Sequence, residues 1–462
     1  MRYFCSSAFA LAAMAFTPFA ASAETLEDAL AYAYQNNSTL LAQRAYLRAV
    51  DENVSQAMAG FRPQVALVGN VTPSKTKTKG SSDSSFANMM YGDSDSSKVG
   101  YGAGVNLSQP IFSGFKTVSQ TKAAENQVEA ERANLRQVEQ NVLTEAAMAY
   151  VDVLRDKAIL DLRENNEKVL KKELERAEQR FKVGEITRTD VAQTQSRYSG
   201  AVAARIAAEG TLQISRANYR NVVGKSPEDL SEPKVLDDML PISLENTLEL
   251  AEAYNPSVIA AEYNARASWY NVNQAEGSLL PEVSLEASAR KDWNSPMKEY
   301  DTETYQASAN LTIPLYQGGA VYSKVRQAKQ TANQFRILKE KSRNDAVNIA
   351  TQAWESLVSS RASIKSIETQ IEASVLALEG VKREAEAGER TVLDVLNAEQ
   401  ELLDNRVSLV SAQRDEIVSS FNLMAAVGRM TASNLALNVD IYNPSDNYEE
   451  VKNKWIGTSI EN

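Results

Sequence analysis

The 462-residue chain contains no histidine and only one cysteine, Cys5, which lies in a stretch with the features of a secretory signal. The remainder therefore has no imidazole or thiolate, and with them it lacks disulfides, most protein metal ligands and the usual nucleophile–base pairs. Carboxylates alone support some catalysis, but the 60 Asp and Glu residues are spread along polar helical stretches, where they are usually solvated. We predict that the protein is not an enzyme and holds no cofactor.

Long apolar runs are also absent. Beyond the N-terminal segment, no window offers about 18 consecutive apolar residues, so a membrane-spanning helix is not expected and any crossing must use strands. The 49 Lys and Arg face 60 Asp and Glu, a formal net charge of −11. This acidic balance disfavours nucleic-acid binding.

Residues 1–23 are predicted to be a cleaved signal peptide. They contain Arg2, an apolar run over 9–19, and the small residues Ala21 and Ala23 around the expected cleavage site. Cys5 precedes the apolar run instead of standing at the cleavage site, so a lipid-anchored N-terminus is not expected. The mature chain is expected to begin near Glu24.

The chain contains one unit written twice. An offset of 218 residues aligns the start of the two halves, including Asn37 with Asn255, and an offset of 204 aligns the rest, including Tyr150 with Trp354. Such internal symmetry indicates a repeated structural unit. The predicted domains are a first repeat over 24–229, an equatorial linker over 230–242, a second repeat over 243–428, and an equatorial tail over 429–462.

The offset changes between Pro63 and Pro110, where the first half has an insertion rich in Ser, Gly and Asp. We predict that Gly80 to Lys98 form a longer surface loop. The corresponding loop of the second half is expected at Trp293 to Tyr300.

Two very long helices are predicted because helix breakers are nearly missing. Proline is absent over 111–226 and 315–443, and the long stretches 116–182 and 321–386 contain a single glycine, Gly380. At 1.5 Å per residue each helix would reach about 100 Å. Shorter helices, about 26–60 and 185–223, are expected to stack end to end beside the first long helix. Apolar residues at coiled-coil spacing form the predicted seams: Leu135, Val138, Val142, Ala146, Ala149 and Val153, then Ile364, Ile367, Ile371, Leu378 and Val381.

Four short segments alternate apolar and polar residues: 65–71, 101–107, 283–289 and 305–313. This pattern fits a half-buried soluble sheet as well as transmembrane strands. Aromatic residues 11 positions apart, Tyr101 with Phe112 and Tyr305 with Tyr316, favour the membrane interpretation. Because open edges are not tolerated in lipid and four strands cannot enclose a lumen, the protomer must oligomerise, and the pattern allows a dimer or a trimer.

The mature chain resembles the TolC family of outer-membrane factors over essentially its whole length. The resemblance rests on the duplication, on the strand-to-helix signatures at 109–114 and 313–319, and on the paired turns at 183–191 and 387–396. It implies an α+β membrane protein whose homotrimer forms a 12-strand β-barrel in the outer membrane and a 12-helix α-barrel in the periplasm. It also implies a periplasmic adaptor and an inner-membrane RND or ABC transporter as partners.

The resemblance further implies that the helix turns form a periplasmic tip that is closed at rest. The tip residues expected to contact the adaptor are Val183, Gly184, Glu185, Ala387, Gly388 and Glu389. The gate would use Arg390, which would reach Thr189 and Asp190 of the neighbouring turn, and a ring of Asp394 from three protomers. An arginine that holds a carboxylate supplies directional, charge-assisted bonds.

The sequence departs from the family pattern at two positions. Asn397 stands where a second acidic ring can occur, and Ala385 replaces an expected tyrosine. Fewer links would then hold the gate. Without the resemblance, the simpler interpretation is that Asp190 and Asp394 are helix N-caps or surface charges and that Arg390 is an ordinary surface residue.

Two other functions compete with the channel. A periplasmic coiled-coil scaffold or adaptor would use the helices without forming a pore, whereas adaptors have one helical hairpin and this chain has two. A carboxylate-dependent hydrolase would need a compact cleft, against which the long helices argue. For the channel, export of drugs and export of proteins both remain open.

Overall fold

A computed structural model describes residues 23–78, 94–233, 237–293 and 301–460. Apart from Ala23, the predicted signal peptide lies outside these residues, as do most of the two predicted loops. In the described part of the chain, no helix is both long and apolar enough to cross a membrane. The elements in chain order are α1 (Leu26–Asn36), α2 (Ser38–Met58), β1 (Gln64–Thr78), β2 (Ser94–Ser113), α3 (Lys116–Lys182), α4 (Arg188–Val223), α5 (Leu244–Tyr254), α6 (Pro256–Gly277), β3 (Glu282–Trp293), β4 (Thr302–Thr312), α7 (Ala320–Glu386), α8 (Val392–Ala426) and α9 (Asp446–Val451).

The two long helices, α3 and α7, are confirmed, and each has 67 residues. Their first residues follow a left-handed position, Phe115 before α3 and Gly319 before α7, which turns the chain out of the preceding strand segment. The absence of proline and the scarcity of glycine let both helices run uninterrupted to the opposite end of the protomer.

The predicted single helix over 26–60 is wrong, because Asn37 divides it into α1 and α2. The Asn37 side chain accepts hydrogen bonds from the backbone N–H groups of Thr39 and Leu40, and so caps α2. Asn255 repeats this cap at the start of α6, with Pro256 in the first helical position. The helix predicted from residue 185 likewise begins later, at Arg188.

The same two asparagines join short helices end to end. Asn37 Nδ2 donates to the carbonyl of Val222, near the end of α4, at 2.9 Å. Asn255 Nδ2 donates to the carbonyl of Ala426, the last residue of α8, at 3.1 Å. The predicted end-to-end stacking is therefore confirmed: α2 continues the line of α4, and α6 continues the line of α8.

The helices form a layer of four columns. The column of α2 and α4 packs against α3, α3 packs against the column of α6 and α8, and that column packs against α7. The seam of α3 is buried or half-buried, whereas the seam of α7 is only half-buried because α7 has a neighbour on one side. The α2/α4 column and α7 are thus the two edges of the layer.

The strands form one antiparallel sheet in the order β1-β2-β3-β4, with β1 and β4 as the edges. The predicted strand segments are confirmed, but β2 begins at Ser94, so the prediction of a loop through Lys98 is wrong at its end. The long pairing of β1 with β2 extends the hairpin beyond the alternating apolar segment. A register shift between Pro110 and Phe112 lies where proline has no N–H to donate.

The main apolar core lies around the middle of α3, where α1, the ends of α4 and α8, and the tail after α8 meet. Tyr150, Tyr219 and Phe421 are fully buried there. The Tyr150 hydroxyl lies 2.8 Å from the Glu24 carbonyl oxygen and 2.7 Å from that of Ser231. This core fastens the start of the first repeat to the linker that follows it.

Replacing Asn255 by alanine is expected to lower the free energy of unfolding by about 2–3 kcal/mol. About 1 kcal/mol comes from the lost cap and about 1–2 kcal/mol from the buried Ala426 carbonyl that loses its donor. The shift in the denaturant midpoint measures the loss. Asn271→Ala, at an exposed position of the same helix, is the matched control and is expected to change little. An equal loss in both variants would contradict the role of the joint.

Candidate functional site at the helical tips

The two hairpin turns have the same backbone geometry. Gly184 and Gly388 have φ angles of 80° and 84°, the left-handed region that glycine adopts without strain. The N–H that follows each glycine bonds back to a carbonyl near the helix end: Glu185 to Arg180 and Glu389 to Glu384, both at 2.9 Å. These bonds form the Schellman arrangement, which satisfies the last carbonyls of α3 and α7.

A capping box starts the helix after each turn. Thr391 N donates to Asp394 Oδ2 at 3.0 Å, while Asp394 N donates to Thr391 Oγ1 at 3.3 Å. Thr187 and Asp190 make the same pair of bonds in the first turn. The N-caps are Thr187 and Thr391, whereas Asp190 and Asp394 lie at the third helical position. The interpretation of the aspartates as N-caps is therefore wrong, although both take part in the capping boxes.

These bonds also keep Asp394 ionised. The Thr391 hydroxyl and N–H donate to the carboxylate and lower the pKa of Asp394 below its usual value, with a further contribution from Arg390. Asp394 is therefore negatively charged at neutral pH. Three copies brought to one axis would concentrate this charge.

Arg390 pairs with its own hairpin within the protomer. Its Nε donates to Glu384 Oε2 at 2.9 Å, and this bond raises the pKa of the guanidinium further. Among the described residues of the single protomer, no bond joins Arg390 to Thr189 or Asp190. A contact with these residues in a neighbouring copy stays a prediction.

Each tip carries an ion pair, and the charges are inverted between the repeats. Arg180 before the first turn pairs with Glu185 after it, at 3.0 Å. At the position equivalent to Arg180, the second repeat has Glu384, which pairs with Arg390 after the turn. Sequence reasoning missed Arg180 and Glu384, although opposite charges at one repeat position were a usable signal.

A groove of about 600 Å³ separates the two tips of one protomer. The first turn contributes Ile186 and Asp190, and the second contributes Ala385, Arg390 and other residues. The short side chain of Ala385 leaves part of this space open. The predicted adaptor-contact residues are all exposed at the two turns: Val183, Gly184, Glu185, Ala387, Gly388 and Glu389. Of these, Glu185 and Gly388 line the groove.

Asn397 links the two hairpins. Its Oδ1 accepts a hydrogen bond from Arg197 Nη2 at 2.7 Å, which joins α8 to α4. A small cluster of Leu170, Ala201 and Leu396 is the apolar contact at this level. The tips are therefore held together by few contacts, the condition under which segments move independently of a core.

The site has no features of a catalytic centre. In the described part of the chain, no group of three or more acidic, cysteine or histidine side chains could hold a metal ion. Glu185, Glu384 and Glu389 are exposed. Asp190 and Asp394 are half-buried, and their carboxylates accept hydrogen bonds from cap residues. The tips instead present ion pairs, the ionised Asp394 and the groove between the two turns at the end of the helical layer.

A family described as Outer membrane efflux protein matches residues 29–225 and 247–429 of this chain. The chain belongs to this family. The resemblance inferred from the duplicated motifs is confirmed, as are the outer-membrane location and the role of exit duct. The family consists of outer-membrane channel proteins.

The similarity to individual members extends over the whole chain. The chain is 38% identical to the outer membrane efflux protein BepC of Brucella suis, over 98% of this chain and 96% of the relative. It is 24% identical to the outer membrane protein TolC of Escherichia coli, over 93% and 87% of the two chains. Its fold is similar to that of the Campylobacter jejuni CmeC outer membrane channel, with a TM-score of 0.78, 15% identity and coverage of 93% and 89%.

Acidification is expected to loosen the second tip. Because the folded pKa of Asp394 is depressed, the stability from its cap is present above the ordinary carboxyl value of 3.8 and is lost as pH falls below it. A spin label at Glu389→Cys would report increased mobility in that range. In the Asp394→Asn background the label is expected to be mobile already at neutral pH. A label equally mobile at all pH values in both backgrounds would contradict this role of the cap.

Proposed function

We propose that three copies of this chain form a closed duct through the outer membrane and the periplasm. The observation that carries the proposal is the sheet: its four strands pair in one antiparallel order, one face is apolar and exposed, and β1 and β4 are its edges among the described residues. Leu67 and Tyr305 are 81% and 77% exposed on this face. A water-soluble sheet would bury such residues, whereas a transmembrane strand presents them to lipid.

The opposite face suits a water-filled lumen. Arg290 donates to Asp292 and, through Nη2, to Asn70 Oδ1 on β1. The same face carries Ser288 and Gln306, which are paired across β3 and β4. Charged and amide groups on one side and apolar groups on the other are the division that a membrane channel requires.

The free edges support a ring of three copies. The N–H and C=O groups of β1 and β4 that point away from the sheet need partners in lipid, and the neighbouring copy supplies them. Two copies would give eight strands, whose interior is filled by side chains, whereas three give twelve and leave space for cargo. Twelve helix columns then continue the twelve strands.

The edges of the helical layer lie on the same sides as those of the sheet. Exposed apolar side chains occur on both edge helices: Ile337 and Val358 on α7, and Ile206 and Ile214 on α4. In the ring, α7 of one copy packs against the α2/α4 column of the next, which buries both sets. In this proposal residues 24–229 and 243–428 are the two repeats, and 230–242 and 429–462 form an equatorial band.

The periplasmic end is proposed to dock an adaptor that connects the duct to an inner-membrane RND or ABC transporter. The exposed turns that contain Gly184 and Gly388 offer a surface for the adaptor. In this proposal the transporter supplies the energy for export. The similarity to BepC favours efflux of small molecules. A second candidate is protein secretion, since the chain is 24% identical to the alkaline protease secretion protein AprF of Pseudomonas aeruginosa.

The gate is proposed to lie at the tips and to consist of Thr189, Asp190, Arg390 and Asp394. Arg390 would exchange its own Glu384 for Thr189 and Asp190 of the neighbouring tip in the closed state. The ionised Asp394 of three copies would line the constriction and favour cations. Asn397 stands in place of a second acidic ring, and Ala385 stands in place of a tyrosine. In this proposal, few bonds therefore hold the gate closed.

Single-channel conductance tests the duct and the gate together. Arg390→Ala is expected to raise the conductance of the resting channel, because a charge-assisted closing bond is removed. Arg383→Ala, an exposed arginine one to two turns from the tip, is the matched control and is expected to leave conductance unchanged. Absence of conductance from verified, membrane-inserted protein would refute the duct. Equal conductance of wild type and Arg390→Ala would retain the duct and refute the gate.

Ion selectivity tests the acidic ring separately. Asp394→Asn is expected to lower the ratio of cation to anion permeability, since the variant removes three negative charges from the constriction. The reversal potential in a salt gradient measures the ratio. Asp404→Asn, at an exposed position further along α8, serves as the control. Equal shifts in both variants would exclude a ring at Asp394.

A further inference from the structure

The duplication creates two equivalent grooves on one face of the helical layer. The first groove lies between α2 and α3, and the second lies between α6 and α7 at the corresponding repeat positions. Asp51 and Arg132 of the first groove correspond to Trp269 and Arg336 of the second, by the offsets of 218 and 204. The second groove has a volume of about 650 Å³.

The chain fills the first groove with its own C-terminal tail. Asn447 of α9 donates to Asp51 Oδ2 at 2.7 Å, and the ring of Tyr448 lies 5.2 Å from the guanidinium carbon of Arg132. Asp51 is fully buried beneath this contact, and Val451 is buried as well. The first groove is therefore a built docking site for a short helix.

Nothing in the described chain covers the second groove. Trp269, at the position equivalent to the fully buried Asp51, is 61% exposed. Each copy has two grooves and one tail, and the tail is committed to the first groove. After α9 the tail stays beside the end of α2. There the carbonyl of Lys454 accepts a bond at 2.8 Å from Nη1 of Arg62, in the connection between α2 and β1. None of the described segments is therefore left to occupy the second groove, and we look for its occupant in another protein.

The second groove is more basic than the first. The position of Glu125 is taken by Lys329, that of Glu129 by Asn333, and that of Leu135 by Lys339. The one acidic side chain in the lining, Glu262, pairs with Arg266 at 2.6 Å. Lys329 pairs with Glu276 outside the groove.

Arg336 is the cation of the second groove that is best placed to bind a carboxylate of a partner. Among the described residues its hydrogen bonds go to the amide oxygen of Asn333, at 2.9 Å for the shorter one. Beside it, the exposed indole of Trp269 offers an apolar surface. An arginine next to an exposed aromatic ring fits an acidic segment that also carries an apolar or aromatic residue.

We propose that the second groove docks a short acidic amphipathic helix of another periplasmic protein, in the way the first groove docks α9. In the proposed ring this face is the outer one, because three tails on the inner face would fill the duct. That placement rests on the proposed function, whereas the groove and its charges belong to a single copy. The partner would lie beside the duct, just beneath the membrane.

The test uses the purified mature protein in detergent and a labelled peptide of residues 443–451, which carries three acidic residues and the tyrosine of α9. Fluorescence anisotropy is expected to show binding that weakens with salt. Arg336→Glu and Trp269→Asp are each expected to weaken binding by about tenfold or more. Lys365→Glu, exposed on the same helix outside the groove, is the matched control and is expected to bind as wild type.

A peptide without acidic residues tests the role of charge, and quenching of Trp269 fluorescence by iodide tests whether the groove is open. The peptide with its three acids replaced by amides is expected to bind about tenfold more weakly. The proposal is overturned if no peptide binds at about 1 mM, or if the groove variants bind as wild type. It is also overturned if Trp269 is shielded from iodide before peptide is added, since a neighbouring copy then fills the groove.

Two further results separate this proposal from others. Binding of vesicles with anionic phospholipid that depends on Trp269 and Arg336, without binding of peptide, would assign the groove to lipid and overturn the proposal. The size of the oligomer, measured on the same samples, reports on the ring independently. Peptide binding to a protein that is not trimeric would refute the proposed assembly and leave the groove in place.

Discussion

Backbone N–H and C=O groups cannot remain unpaired in lipid, and the rest of the architecture depends on this constraint. Four strands with two sheet edges are incomplete as a membrane structure, and the proposed ring would complete them. The edge strands and the edge helices are adjacent along the chain, because β1 follows α2 and β4 leads into α7. In the proposed ring, the contact that closes the sheet would therefore also close the helical layer.

The duplicated sequence gives the protomer two hairpin turns and two grooves. The two members of each pair share a backbone geometry but differ in their side chains. Both turns share the glycine, the Schellman bonds and the capping box, but the ion pairs of Arg180 and Glu384 have opposite polarity. Both grooves share an arginine from the long helix, but Asp51 in one is Trp269 in the other. Conserved backbone geometry thus supports divergent surface chemistry on a repeated scaffold.

Much of the fold was predictable because it depends on local rules. The long helices follow from missing proline and glycine, and the strands follow from alternation. The division at Asn37 was missed because an asparagine within an apolar periodic stretch looks tolerable, although Pro256 after Asn255 marked the same joint in the second copy. The partner of Arg390 was not predictable, because a flexible side chain selects among several carboxylates by three-dimensional distance. The bond between Arg197 and Asn397 was missed for the same reason.

The capped joints at Asn37 and Asn255 have a mechanical consequence. At the level where α3 runs uninterrupted, the neighbouring columns consist of two separately capped helices held together by one side-chain bond per joint. Bending there breaks no helical hydrogen bond in the jointed columns, so the continuous helices set the stiffness. In the proposed ring, tilting of the lower half of each protomer about these joints would move the tips apart without disturbing the strands.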